Sequence, residues 1–149
     1  MSNAEKKIIE IVDSRTFEYK NESYKYNILK ADHIEKEIPG FLGYYPQKNG
    51  EKISFYISNT TPELYIYPQL IHELIEFTEL KDQKGRCQKS IDFELKEVPA
   101  QILSAYIKYR KKLFSNLVKY YAEKPESNIG FKKELKHSLE KWEKLSTEN

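Results

Sequence analysis

Four ionisable side chains crowd one short apolar stretch. In Tyr67–Phe77, YPQLIHELIEF, His72, Glu73 and Glu76 fall within five residues, and Glu79 follows one turn later. On a helix, residues four apart share a face, so His72 and Glu76 point the same way and Glu73 lies at the margin of that face. An imidazole and a carboxylate so placed can ligate a divalent metal, and the intervening carboxylate can serve as general base toward bound water. The plainer reading is an amphipathic helix that buries Leu70, Ile71, Leu74 and Ile75 and leaves its acids in water. Glu73, Glu76 and Glu79 have Phe77, Leu80 and Gln83 at i+4, with no Lys among them. Like charges three apart on a helix destabilise it by about a few tenths of a kcal/mol. The acids therefore call for a cation: a metal, or a Lys or Arg from the basic region.

The elements around the motif extend the pattern. The segment GFLGYYPQKNGEKISFYISNTTPELYIYPQLIHELIEF reads as strand, turn, strand and helix. With the HE pair on its helix, it resembles the zincin-like metallopeptidases, whose motif is HExxH. The resemblance implies a small zincin-like domain that hydrolyses a peptide or protein substrate, with His72 and Glu76 as ligands and Glu73 as the catalytic base. In the gluzincin branch the next helix adds a Glu ligand, often in an E-x-x-A setting. Glu97 and Ala100 in KEVPAQILSAY fit that setting, 25 residues after His72, and resemble the glutamate helix of minimal zincin-like domains linked to phage-repressor cleavage. Glu94, one turn earlier, competes for the role. The chain departs from the family at Glu76, which stands where the second His would be. One imidazole and two carboxylates neutralise a divalent ion, weaken it as a Lewis acid, and admit Mn²⁺ or Fe²⁺ beside Zn²⁺.

Other residues carry weaker signals. Cys87 follows His72 by fifteen residues; it can be a soft ligand or a nucleophile paired with His72, but a lone Cys is more often an inert, buried small hydrophobe. His33 and His137 lie in polar surroundings and read as surface residues. Trp142 falls on an apolar stripe and reads as a packing anchor. The stretch AYIKYRKKLFSNLVKYY interleaves basic and aromatic residues, as a nucleic-acid-binding helix does. There Lys108, Arg110, Lys111 and Lys112 would contact phosphates. Yet Leu103, Tyr106, Leu113, Leu117 and Tyr120 form one stripe, and a packed helix with a solvated basic face explains the pattern more simply.

These residues need elements to position them. Phe17 and Tyr19, then Tyr24, Tyr26 and Ile28, alternate with polar residues as a hairpin does. FLGYY and KISFYIS read as two more strands joined by the turn PQKNG, AEKKIIEIV as a short helix over 4–12, and ADHIEKEIPG as another. From residue 63 the period lengthens to about 3.6, and Pro68 suits a first helical turn. Pro99 must kink or split the long helical stretch after Cys87, and a last helix carries Phe131, Leu135, Leu139 and Trp142. The expected fold is α+β: a small N-terminal antiparallel β-sheet, a β-meander, followed by a helical C-terminal half, in a single domain over residues 1–149.

Composition bounds the rest. The chain has 149 residues, 39% hydrophobic and 32% charged, with one Cys. There is no internal disulfide and no membrane-spanning run, and the N-terminus lacks the apolar region of a secretory signal. A cytoplasmic protein is expected. Residues 101–149 hold eleven Lys/Arg against six Asp/Glu, a charge of +5 in a chain of +2, which leaves −3 for the remainder. Opposite charge on two halves suits docking of one on the other as well as contact with nucleic acid.

Overall fold

The computed structural model describes residues 10–30, 42–45, 54–124 and 129–148. The alternating aromatic run forms strands β1 (Ile11–Tyr19) and β2 (Glu22–Leu29), paired antiparallel with Tyr19 opposite Glu22. The two residues between them, Lys20 and Asn21, both take positive φ, 49° and 66°. A two-residue turn of the I′ type requires this, because its twist matches that of the strands. Ile11 and Val12, expected at the end of a helix, are instead extended in β1. The remainder of that expected helix lies outside the described residues, as do the expected helix over 31–40 with His33 and the turn 46–50.

Strands β3 (Leu42–Tyr45) and β4 (Ser54–Ser58) complete a four-stranded sheet in the order β1-β2-β4-β3. β4 runs antiparallel to β3 but parallel to β2. The sheet is therefore mixed, which corrects the expected antiparallel meander. Phe55 and Ile57 of β4 are fully buried. A strand that apolar belongs inside, between two neighbours, while the four-residue β3 takes the edge.

Four helices follow: α1 (Glu63–Phe77), α2 (Arg86–Lys96), α3 (Leu103–Ala122) and α4 (Ile129–Glu148). The α+β expectation holds at this level. Pro68 sits in the second turn of α1 rather than the first, since the helix already begins at Glu63. Pro99 splits the long helical stretch as expected: α2 ends at Lys96, and a short 3₁₀ turn, Ala100–Ile102, leads into α3. No described helix is long and apolar enough to cross a membrane.

The core has two parts. Phe17, Tyr26, Ile28, Phe55 and Ile57 of the sheet pack on Leu70, Ile71, Leu74 and Ile75 of α1. Ile91, Tyr106, Ile107, Phe114, Leu117 and Trp142 form a second cluster among α2, α3 and α4. Helix α1 belongs to both layers. Its aliphatic face lies on the sheet, and Tyr65 on another face packs against the helical cluster. Gln69, His72 and Glu76 follow Tyr65 at spacings of four, three and four, and so line that second face. The polar stripe of α1 is thereby carried into the seam between the two cores.

Candidate metal centre

His72 is 2% exposed and uses both ring nitrogens. Nδ1 lies 2.6 Å from Glu94 Oε1 of α2, and Nε2 lies 3.1 Å from Glu76 Oε1. The Cys87 sulfur, in the first turn of α2, stands 3.5 Å from the same Nε2. Gly85 makes the approach possible. It caps α2 with φ of +68°, a left-handed conformation that an L side chain rarely adopts, and so turns the chain straight from the loop into the helix. Ser90 Oγ, one turn into α2, donates to the His72 carbonyl at 2.6 Å and pins the two helices together.

Glu94 is the most enclosed acid of the group, fully buried, and its carboxylate accepts four hydrogen bonds from three residues. Oε1 accepts from His72 Nδ1 and from Arg110 Nη2 at 3.2 Å; Oε2 accepts from Arg110 Nε at 2.7 Å and from the Tyr106 hydroxyl. A carboxylate offers about four lone-pair sites, so none remains for a metal. Burial raises its affinity for a proton, but Arg110 and then His72 outweigh burial and hold it below the ordinary carboxylate range. Glu94 thus orients His72 instead of ligating beside it. A metal-binding imidazole commonly gives its second N–H to such a carboxylate, which fixes the tautomer and leaves the other nitrogen free to ligate.

Arg110 overturns one expectation outright. Read as part of an outward basic face with Lys108, Lys111 and Lys112, it is instead 5% exposed. It binds Glu94 and reaches Gln69 Oε1 at 3.2 Å, and its guanidinium lies over the rings of Phe114 and Trp142. The reason is helical arithmetic: Arg110 is four residues after Tyr106 and three before Leu113, on their face. Lys108 and Lys112 are exposed and Lys111 is half-buried. Trp142 is fully buried and packs against Tyr106 and Phe114, as a packing anchor should. His137 is exposed on α4.

On the other side of the imidazole, His72, Glu76 and Cys87 each offer a donor atom, and the three atoms lie within 4.8 Å of one another. Bonds of 2.0–2.3 Å to a tetrahedral ion would separate its ligands by about 3.3–3.8 Å, so a small contraction would close the site. The charges fit as well. Arg110 cancels Glu94, while Glu76 and a Cys87 thiolate would cancel a divalent ion, so the buried cluster would be neutral when loaded. Three protein donors also leave a fourth position open.

Without a metal the cluster neutralises itself differently. Burial lowers the proton affinity of His72, but Glu94, Cys87 and Glu76 raise it further, and the ring is held charged well above its ordinary range. Glu76 resists the upward push of burial through its hydrogen bond to His72 and stays low. Burial pushes the Cys87 thiol up, against the pull of His72. Burial and then Glu76 raise Glu73 to about 8.

The residues picked from sequence thus divide. His72 and Glu76 converge; Glu73 stands within electrostatic reach of both; Glu94 joins from behind the ring. Glu97, at the C-terminal cap of α2, belongs to no metal-sized donor group among the described residues. Cys87 takes the third place expected of Glu94 or Glu97. No protein-family model, no curated protein and no solved structure matches this chain.

Proposed function

We propose that the chain is a divalent-metal-dependent hydrolase of peptidase-like chemistry, with His72, Glu76 and Cys87 holding the ion. One observation carries the reading. His72 presents Nε2 to Glu76 and Cys87 while Glu94 secures Nδ1, so two further donors converge on an imidazole whose tautomer is fixed from behind. The nitrogen, oxygen and sulfur set suits Zn²⁺ better than Mn²⁺ or Mg²⁺, because a thiolate is a soft ligand. A bound zinc ion would supply Lewis acidity and a more acidic water. Around it, Glu94 and Arg110 keep the ring in place, and Tyr106 closes the last acceptor site of Glu94. Glu73 is a further acid whose proton affinity burial, Glu76 and His72 shift, and it takes the role of proton acceptor. Glu76 and Cys87 together lower the net charge of the centre, so its water would be less acidic than at an all-imidazole site. Peptides or similar amides are the substrate class.

A second reading has its own support. The charged His72 between two carboxylates, with Arg110 behind, satisfies the buried groups without any ion. On that reading the cluster is a structural lock and the protein a non-enzymatic scaffold, binding a protein or a nucleic acid through exposed lysines such as Lys108 and Lys112. Metal content separates the two. Protein prepared without a metal-affinity step, dialysed against Zn²⁺ and then desalted, should retain about one ion per chain, and His72→Ala and Cys87→Ser should retain none. Wild-type protein that retains no ion overturns the hydrolase reading.

A further inference from the structure

Helices α3 and α4 leave a groove between them that the core does not fill. The last turns of α3 line it with Val118, Tyr121 and Ala122, which share one face. The first turns of α4 line it with Ile129, Lys132, Lys133 and Lys136, again one face, and with Leu135. Leu135 belongs to the helical core, and Val118 and Tyr121 pack against that core, so the groove is apolar where it meets the rest of the protein. Ile129 is 73% exposed. The groove holds about 300 Å³. Lys132, Lys133 and Lys136 supply its charge; among the described residues none of them has an ion-pair partner and no acid lines the groove. Glu134, on the same helix, is engaged by the Cys87 backbone N–H. Like charges three and four apart on a helix repel, so these lysines would gain from an anion seated at the groove.

We propose that this groove binds a small anionic amphiphile, a fatty carboxylate, whose alkyl chain lies in the groove and whose charged end pairs with the lysines. Charge and size together select that occupant. The volume lies at the lower end of small-ligand sites, roughly 300–1,000 Å³. On α4 the groove runs from residue 129 to residue 136, about 10 Å at ~1.5 Å per residue. A partner protein needs about 1,000 Å² of buried surface for a specific interface, far more than two turns of a helix pair offer. A second copy of this chain docking through the same face would set lysines against lysines. A nucleic-acid strand would want successive aromatic platforms, and among the described residues Tyr121 is the one aromatic side chain in the lining. A carboxylate can accept from two lysines at once while its chain lies on Val118, Ala122, Ile129 and Leu135. The lysine stems are themselves apolar and extend the wall along which the chain can lie. No lining residue belongs to the His72 group, so the proposal stands apart from the metal reading.

The test titrates full-length protein with decanoate, below its micelle concentration, and follows backbone amide NMR shifts. Wild type should show saturable shifts at Val118, Ala122, Ile129 and Leu135 with a Kd below about 1 mM. Acetate, which has the charge without the chain, should leave those shifts unmoved. The triple variant Lys132→Gln, Lys133→Gln, Lys136→Gln should bind decanoate about tenfold more weakly, because exposed charge pairs each contribute little and three are lost together. Ala122→Trp, which fills the groove with an indole, should abolish the binding. Ala122, Lys133 and Lys136 are exposed and Lys132 is half-buried, so both variants should keep the wild-type fold and Tm. Wild type that shows no saturable binding overturns the proposal, and so does an affinity unchanged in either variant. Acetate that moves the same amides as strongly would overturn it in favour of a plain anion site. Protein that ignores decanoate but binds phosphatidylglycerol vesicles would overturn it in favour of a membrane surface.

Discussion

Arg110 grips Glu94 with two nitrogens, Nε at 2.7 Å from Oε2 and Nη2 at 3.2 Å from Oε1, in a pair with almost no exposure to water. The acids of this chain call for a cation, either a metal or a side chain from the basic region. For Glu94 the answer is a side chain, and Glu76 of α1 meets His72 at the opposite ring nitrogen.

A buried pair is most costly when only one partner is removed, since the other charge stays behind unpaired. Arg110→Met should therefore cost about 3–5 kcal/mol in urea-induced unfolding. Arg110→Met combined with Glu94→Leu should cost clearly less than the sum of the two single changes. Strict additivity in that cycle would show that the pair is not a coupled unit.

If His72, Glu76 and Cys87 bind zinc, the ion stabilises the fold by mass action. At a free concentration about 100-fold above Kd the gain is about 2.7 kcal/mol, or roughly 5–10 °C in Tm for a chain of this size. His72→Ala and Cys87→Ser should abolish the zinc-dependent rise, and Glu97→Gln should keep it in full. A Cys87→Ser protein whose Tm still climbs normally with zinc would return the third place to a carboxylate. Affinity should also weaken as pH falls, because the buried Cys87 thiol must release its proton to bind.

Why the sequence singles out His72 and Glu76 but leaves Cys87 looking like an inert thiol and Arg110 like part of a basic face comes down to range. His72 and Glu76 are four apart on one helix, and helical geometry alone places them together. Cys87 reaches His72 only because the loop over 78–85 folds α2 back along α1, and that path depends on the left-handed Gly85. Nothing local announces it. Arg110 did leave a signal. Leu103, Tyr106, Leu113, Leu117 and Tyr120 are spaced three, seven, four and three, and Arg110 fills the gap of seven at the place where an apolar residue would stand. Strand existence was legible from alternation, whereas strand order was not. Alternation says which face is buried, and only the burial of Phe55 and Ile57 against α1 sends β4 to the interior beside β2.

Glu73 gives the metal-free protein a specific pH response. Burial, with Glu76, raises it from an ordinary value near 4.5 to about 8, against the opposing pull of His72 and Arg110. Between those values the folded chain keeps a proton that the unfolded chain has lost, so stability falls as pH rises. The buried His72 acts in the same direction, but only from about 6.5 upward, where the unfolded ring loses its charge. Glu94 and Glu76, both lowered, stabilise above the ordinary carboxylate range and lose that effect only in acid. Between about pH 5 and 6.5 the decline therefore belongs to Glu73. Chemical unfolding of wild type in that window should show it, and Glu73→Gln should flatten it. An equal slope in both proteins would mean that Glu73 ionises normally. Glu73→Gln should also leave zinc bound while abolishing hydrolysis, since it is placed as base and not as ligand.

Glu76→His restores the spacing of two histidines four apart and tests the centre from the ligand side. Glu76 is 13% exposed, and the hydrogen-bond partner that meets it is His72, not a lysine or arginine of the basic helices. The substitution strands no lysine or arginine hydrogen-bonded to Glu76, but it takes from the buried, charged His72 one of its two carboxylates; its cost to the metal-free fold should therefore fall between that of an exposed pair, about 0–1 kcal/mol, and that of a broken buried one, about 3–5 kcal/mol. With zinc, the exchange of a carboxylate for a neutral imidazole leaves more positive charge on the ion and a more acidic bound water. Zinc-dependent stabilisation should then be retained or increased, and hydrolysis of a peptide cleaved by wild type should reach its half-maximal rate at a lower pH. Thermal melts of both proteins with and without zinc, joined to a pH–rate profile, carry the comparison. A Glu76→His protein that loses several kcal/mol and ignores zinc would identify the cluster as a structural ion lock, with no role for a metal.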